Sequence, residues 1–351
     1  MKTSSLSECR SDCLLACAGA EDVRKVLAGK HISITGGTGF LGTWIAEMIS
    51  ALNDEYNAGI TLDIYATRVQ EWARRLPHLA ARSDINIYSQ DVRSPFEFSK
   101  ATNFIIHAAG IPNTRVHSSD PLRVYETTVT GTANCLEAAT KLGSLIRMVN
   151  VSSCLVNGQP DRSGATSEDD AFMQRSGELH GVYAEAKRAS ETLATIYRNQ
   201  HRLPISTVRP FTLAGPYHEL DLPWAINNFM RDALNGSTVR IHGDGNVRRS
   251  YLYGSDAAWW TLTALVKGGD GDVYNLGSAY SISHIELVKM IGDLLGKELN
   301  VEINTNPAKK NKVDDLYPNT QRVSQRLKVA ETVDSLSILR KMYAWHKSST
   351  R

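Results

Sequence analysis

Thr35-Gly36-Gly37-Thr38-Gly39-Phe40-Leu41-Gly42 follows the short β-branched run His31-Ile32-Ser33-Ile34 and opens into Thr43-Trp44-Ile45-Ala46-Glu47-Met48-Ile49. An apolar strand, a turn with glycine at every third place and a helical pattern make up the layout in which backbone N–H groups meet a pyrophosphate at a helix N-terminus. The stretch reads as a dinucleotide site. Gly36 can take the tight turn, Gly39 leaves room for backbone to approach phosphate oxygens, and Gly42 lets the helix pack closely on the strand. Thr35, Phe40 and Leu41 complete the residues expected against the cofactor here.

The rest of the composition suits a two-lobed globular protein. The 351 residues are 42% hydrophobic and 22% charged, enough apolar content for a sizeable core, and a formal charge of +2 is too weak a field to imply a nucleic-acid partner or an anionic membrane surface. No apolar run approaches the roughly 20 residues of a membrane span. Five cysteines form an odd set without a C-x-x-C pair, which fits a reducing cytoplasm. Cys9, Cys13 and Cys17 are four apart and would line one face of a leading helix packed on the nucleotide domain; no metal site is expected.

Working outward from the glycines, a helix is expected from about Leu41 to Leu52. A second strand then runs from Ile60 to about Thr67-Arg68. Asp63 lies at a distance from the glycines that would suit a ribose carboxylate, but strand-like residues continue past it. The strand end therefore falls at Arg68, where a basic residue suits a 2′-phosphate and leans the choice between NAD and NADP toward NADP. Ile85–Val92 reads as the third strand, with Asp91 and Val92 beside an adenine. Asn103–Gly110 is the fourth, and Ala108, Ala109 and Gly110 at its end allow close approach to a cofactor. His107, at the same strand end, reads as structural. A helix over Thr130–Ala139, a fifth strand over Ile146–Val151, a loop from Asn157 to Gly181, a helix from Tyr183 and a sixth strand over Ile205–Pro210 continue the alternation of a doubly wound parallel α/β sheet.

These elements divide the chain into a helical extension (1–28), a Rossmann-like dinucleotide domain (29–210) and a smaller C-terminal α/β substrate lobe (211–351). Residues near 272–277 are expected to return to the first sheet, and Ala308–Lys312 to form an exposed loop.

Tyr183 and Lys187 are four apart and share a helix face. An ammonium near a phenol stabilises the phenolate, so Tyr183 can act as acid or base nearer neutrality, and the same ammonium can hold a ribose hydroxyl. Ser153, at the end of the preceding strand, can hydrogen-bond the reacting oxygen.

With the glycine turn, the Ala-Ala-Gly and Ser-Ser strand ends and the Tyr/Lys helix in this order, the chain resembles the extended short-chain dehydrogenase/reductase family, in its nucleotide-sugar epimerase and dehydratase group. The matching pieces include Asp91-Val92, Val151-Ser152-Ser153, Arg209-Pro210-Phe211, Gly215-Pro216 and Gly243-Asp244-Gly245 leading to Arg249, from about residue 29 to about 335. The resemblance implies a bound nicotinamide dinucleotide, a nucleoside-diphosphate sugar as substrate and a homodimer. It makes Ser153, Tyr183 and Lys187 the catalytic set, places Pro210 beside the cofactor, and makes Arg249 the diphosphate-binding arginine, with Thr212 on the sugar side; Trp224, Asn227, Asn228 and Arg231 lie in a segment expected to face the ligand, from which Asn228 is taken as the substrate contact.

Two departures narrow the reaction. The 4,6-dehydratases of the family carry an Asp-Glu pair directly after the catalytic hydroxyl residue, and the decarboxylase branch carries a glutamate where this chain has Leu155; here the two places hold Cys154 and Leu155. Proton removal at the neighbouring carbon then lacks its carboxylate, which disfavours loss of water. Thr128 and Thr212 stand where many members have asparagine. What remains is hydride transfer at a carbinol carbon, C4 first, by an epimerase that reduces the keto sugar again on its other face. An NADPH-dependent ketoreductase and a non-catalytic dinucleotide-binding protein are the alternatives.

Overall fold

The computed structural model describes residues 2–158, 160, 162–173, 177–304 and 315–349. The expected loop Ala308–Lys312 lies outside these residues.

Two helices, α1 (Lys2–Cys17) and α2 (Glu21–Leu27), precede β1 (His31–Thr35), which is buried along all but its first residue. The glycine turn leads into α3 (Phe40–Tyr56). This helix runs a turn beyond the sequence expectation: Asn57 ends it in the left-handed conformation (φ 49°), and the Asn53 amide, still helical, bonds both N–H and carbonyl of Ile60 at 2.8 Å. Then follow β2 (Thr61–Ala66), α4 (Val69–Arg75), α5 (Pro77–Ala80), β3 (Ile85–Ser89), β4 (Phe104–His107), α6 (Thr114–Ser119) and α7 (Pro121–Thr140). Asp120 caps α7, accepting from the Arg123 N–H, and Pro121 takes the first helical position, where its missing N–H costs nothing. The next elements are β5 (Arg147–Val151), α8 (Val182–His201) and β6 (Ile205–Pro210).

The C-terminal part contains β7 (Leu213–Ala214), α9 (Ala225–Leu234), β8 (Val239–His242), β9 (Arg248–Ser250), β10 (Leu252–Tyr253), α10 (Gly254–Lys267) and β11 (Val273–Leu276). It continues through β12 (Ser281–Ser283), α11 (His284–Leu295), β13 (Val301–Asn304), α12 (Gln321–Leu327) and α13 (Ser335–Ser349).

Seven strands form one parallel sheet in the order β11-β6-β5-β4-β1-β2-β3. Its order reverses at β1/β4, the switch point where ligands of open α/β sheets bind. One face carries α3, α10 and the leading helices over a core that includes Trp44, Ile45, Leu62 and Trp260; the other carries α7 and α8 over Ile105, Leu136 and Met148. Because the sheet is covered on both faces, β1, β2, β4 and β5 are buried along nearly their whole length, polar Ser33, Asp63 and Asn150 included. Cys9, Cys13 and Cys17 point from α1 into the first of these cores, and burial pushes each thiol upward in pKa.

The sheet recruits from beyond residue 211. β11 pairs with β6, Val273 opposite Thr207, and α10, buried from Gly254 to Leu265, lies against the sheet and α3. Gly254 makes this approach possible, because a Cβ there would fall 2.0 Å from Trp44 Nε1. The remaining small pairings, β8 with β13, β9 with β12 and β7 with β10, build a lobe beside the C-terminal ends of β5 and β6.

Candidate active site

The glycine turn sits at the C-terminal end of β1. Gly36 adopts φ +70°, and a Cβ on it would lie 2.7 Å from the Ala108 carbonyl oxygen and the Ala109 nitrogen, so the turn is pressed directly on the Ala-Ala-Gly end of β4. Gly42 does not pack on the strand as its spacing suggested. Its Cβ position lies 2.4 Å from Gly37 Cα, and it is Gly37 that touches the strands, at Ile34 and Ile64. Four glycines are thus interleaved where three were expected to suffice. The space over Gly39 is open, with Gly36 O at 3.3 Å as its nearest neighbour, and the first N–H groups of α3 have no intrahelical acceptor. Open donors at a positive helix end, reached across a position without a side chain, fit the pyrophosphate of a dinucleotide.

The residues around that turn divide into those that face the cleft and those that hold it up. Thr35 is fully buried, its Oγ1 2.7 Å from His107 Nδ1, so its side chain serves the protein interior and not the cofactor. His107 bridges on to Thr132 Oγ1 at 3.0 Å, and burial pushes its pKa down to about 3. A neutral imidazole with both nitrogens engaged is the structural histidine expected from sequence. Val92 is also turned inward: its side chain fills the space over Gly131 and its carbonyl is held by Asn134 at 2.9 Å. Asp91 is paired with Arg93 at 2.7 Å, which holds its carboxyl below the ordinary range. Leu41 is buried in the core beneath the turn, while Phe40 stays partly exposed. Asp63 is buried mid-strand against His31 at 2.7 Å, and Arg68 lies just past the end of β2, exposed, with no hydrogen bond or ion pair for its guanidinium among the described residues.

Beside this turn the structure gathers Ser153, Tyr183 and Lys187. Lys187 is 3% exposed and donates to the Val151 carbonyl at 2.7 Å, which ties α8 to the strand end that carries Ser153. The Tyr183 hydroxyl lies within hydrogen-bond reach of Ser153. Gly110 closes the group from β4, since a Cβ there would sit 3.4 Å from Lys187 Nζ. The electrostatics differ from the sequence expectation. Burial raises the Tyr183 phenol instead of leaving it lowered, Cys154 adds to the rise and only Ser153 opposes it; burial also pushes Lys187 down to about 8. The reason is placement: the ammonium is turned to Val151 O and stays 5.9 Å from the phenol ring centre.

His117 was not singled out from sequence. Its ring stacks on Tyr183 with centroids 4.7 Å apart and planes at 16°, and its Nε2 meets the Ile111 carbonyl at 2.7 Å. A histidine on a six-residue helix carries no spacing signal, so only the packing reveals it. Arg209, part of the motif with Pro210, is structural: it pairs with Glu191 at 2.7 Å and donates to Glu168 O. Pro210 ends β6, and Thr212 follows with its carbonyl bound to the Leu252 N–H. Arg249, on β9, is close enough for its charge to act on Cys154, which burial raises to about 12. Asn228, on α9, keeps Oδ1 buried without a hydrogen-bond partner among the described residues. Thr128 turns its hydroxyl back onto Val124 O within α7.

This arrangement agrees with what comparison of the chain with known proteins finds. The profile of the NAD dependent epimerase/dehydratase family matches residues 32–277, from β1 through β11. The chain belongs to that family. NAD binding is implied by this membership, and the family model ends short of α1 and α13, the two helices at the ends of this member. Among relatives, UDP-glucuronic acid decarboxylase 3 of Arabidopsis thaliana is 25% identical over 280 residues, 79% of this chain and 78% of that protein. UDP-N-acetyl-alpha-D-glucosaminuronate decarboxylase of Bacillus cytotoxicus is 29% identical over 267 residues, 76% and 80% of the two chains. The fold is shared with UDP-glucuronic acid 4-epimerase of Bacillus cereus, solved with UDP-glucuronic acid and NAD, at a TM-score of 0.78 and 21% identity over 91% of this chain and 99% of that one. Among the described residues of this epimerase/dehydratase family member, no helix is long and apolar enough to cross a membrane.

Proposed function

We propose that the protein is a nucleoside-diphosphate-sugar epimerase acting at a sugar carbinol carbon, C4 first, and that it works in the cytoplasm as a homodimer. The observation that carries the reading is the meeting of Ser153, Tyr183 and Lys187 beside the glycine turn, while the positions after Ser153 hold a thiol and an isobutyl group. A bound nicotinamide ring supplies the hydride acceptor. Tyr183 takes the proton of the sugar hydroxyl, and Ser153 hydrogen-bonds the same oxygen as it becomes a carbonyl. Lys187, charged below about pH 8, ties α8 to the strand end that carries Ser153, and its ammonium would hold a ribose hydroxyl of the cofactor. His117 fixes the phenol ring in place and keeps water from its face. Arg249, with Asn228 and Thr212, is assigned to the diphosphate and sugar.

The decarboxylase names among the relatives argue for a UDP-uronic acid or a related UDP-sugar as the first substrate to try. Leu155, 37% exposed, stands where the decarboxylase branch carries a glutamate, and this departure sets the chain apart from that branch. Incubation with UDP-glucuronic acid, UDP-glucose and their N-acetyl counterparts, followed by NMR of the sugar ring, should show interconversion of C4 epimers without release of carbon dioxide or loss of water by mass. A 4-keto-6-deoxy product or a pentose product would overturn the assignment.

A second reading, an NADPH-dependent 4-ketoreductase, is favoured by the open guanidinium of Arg68. The dinucleotide released from purified protein decides between them: retained NAD supports the epimerase, and a site that fills only with added NADPH supports the reductase.

A further inference from the structure

Between the glycine turn and the two terminal helices lies a short connection, Gly215–His218, that the reaction described above does not use. Tyr217 holds φ +75°, a left-handed conformation that a residue with a side chain keeps only when its surroundings enforce it. The enforcing contacts come from several elements. The Tyr217 hydroxyl donates to Glu47 Oε1 on α3 at 2.5 Å, and the Cys9 thiol of α1 is within hydrogen-bond reach of the same hydroxyl. Trp345 of α13 meets the Tyr217 ring edge-on at 4.6 Å, and Trp44 of α3 does so at 5.4 Å while its Nε1 donates to Pro216 O. Below, Gly215 presses on Tyr253, whose hydroxyl donates to Asp12 of α1; Asp12 is in turn bonded by Lys341 of α13 at 3.0 Å.

The far end of the connection reaches the cofactor site. The His218 ring lies on the Phe40 ring at 3.9 Å and 29°, with Trp224 on the other side at 5.0 Å. Phe40 is the first residue of α3, directly after Gly39, so its ring borders the open N–H groups of the helix start. His218 Nδ1 is buried without a partner among the described residues; stacking, with the hold that His346 of α13 has on the His218 backbone, places the ring.

We infer that α1 and α13 act as a brace that keeps the strained Tyr217–His218 turn seated on Phe40, so that Cys9, Tyr217, His218 and Trp345 are positioning residues for the dinucleotide. The inference rests on the cofactor reading of the glycine turn and extends it to helices outside the matched family region. Seated, the turn holds Phe40, and with it the first residue of α3, in the place from which the helix-start donors meet a pyrophosphate. Released, Tyr217 relaxes to an ordinary backbone conformation, His218 leaves Phe40 and the helix start loses that support.

The test uses the full chain and two equilibrium affinities, NADH by its fluorescence and UDP by calorimetry, measured well below the melting temperature. Tyr217→Gly and Trp345→Ala should weaken NADH at least tenfold and leave UDP within twofold. His218→Ala should do the same, whereas His218→Phe, which restores a stacking ring without nitrogens, should bind NADH as the wild type does. Tyr217→Phe is the mild variant that keeps the ring and loses the Glu47 bond, and it should fall between. Wild-type NADH affinity in Tyr217→Gly, Trp345→Ala and His218→Ala would overturn the brace, as would a parallel fall in both ligands, which marks plain destabilisation. A wild-type protein that itself binds no NADH would overturn the cofactor reading and the brace together.

Discussion

The glycine turn and the hollow of Ser153, Tyr183 and Lys187 beside it are built by opposite means. From Thr35 to Gly42 the site is contiguous and made of backbone: what matters is the absence of Cβ atoms at Gly36, Gly37 and Gly42, each of which has a neighbour within 2.8 Å of where one would stand. The hollow is made of side chains brought from β5, α8 and α6, and its members touch through single polar or ring contacts, Ser153 with Tyr183, Lys187 with Val151 O, and His117 with Tyr183. A backbone-made site fails when matter is added and a side-chain-made site fails when a functional atom is removed. The first kind of damage should register in folding and cofactor affinity, and the second in turnover alone.

The strongest test of that contrast is Tyr183→Phe. The ring still stacks on His117, so melting temperature and dinucleotide affinity should stay near wild type while turnover on an accepted nucleotide sugar falls about 10²–10⁴-fold. Near wild-type turnover would show that the proton moves through another group. On the backbone side, Gly36→Ala meets both a positive φ and the Ala108–Ala109 main chain, and should cost about 1–3 kcal/mol in chemical denaturation together with most of the dinucleotide affinity. A variant that folded and bound as well as the wild type would mean the turn has room that its geometry denies.

Lys187 sharpens the comparison because it belongs to both halves. Its folded pKa of about 8 is below the ordinary 10.5, so between those values the unfolded chain holds a proton the native state has released. Stability contributed by this group therefore rises with pH across that window, and the cost of burying its charge is fully present below about pH 8. Lys187→Met should be more stable than the wild type at pH 7, by a margin that shrinks toward pH 10 in paired urea titrations. Turnover has the opposite slope: it should fall by about tenfold per pH unit above pH 8 as the ammonium is lost. A flat rate through pH 9.5 would show that the ammonium is dispensable. The smallest effect is expected at Arg68. Arg68→Ala should weaken NADP by roughly tenfold and NAD hardly at all, since a charged hydrogen bond to the 2′-phosphate is what it would lose. Equal small changes for both cofactors would place Arg68 outside the site.

Several site features were missed because they are contacts and not patterns. His117 and the inward turn of Thr35 toward His107 leave no periodic trace, and neither does the interleaving of Gly37 with Gly42. The lowering of the Tyr183 phenol by Lys187 was inferred from i,i+4 spacing, which puts two Cβ atoms on one face but does not say where a four-carbon stem ends; here it ends on Val151 O. The division of the chain after residue 211 was drawn from turn composition, and α10 crosses it because its apolar surface, buried throughout, finds the sheet and α3.

What the sequence by itself determined were the strand–glycine–helix unit, the alternation that makes a parallel sheet, the return of residues near 272–277 to the first sheet, and the Ser-Tyr-Lys order on successive elements. All of these are properties of neighbouring residues, set by periodicity, β-branching and turn chemistry within a few positions. The tertiary structure alone decided which side chains face the cleft, the direction in which burial moves the pKa values of Tyr183 and Lys187, and the seating of Tyr217–His218 on Phe40 by helices from the two ends of the chain. Those depend on desolvation and on contacts between segments hundreds of residues apart, and such energies exist only once the whole chain has closed around its cores.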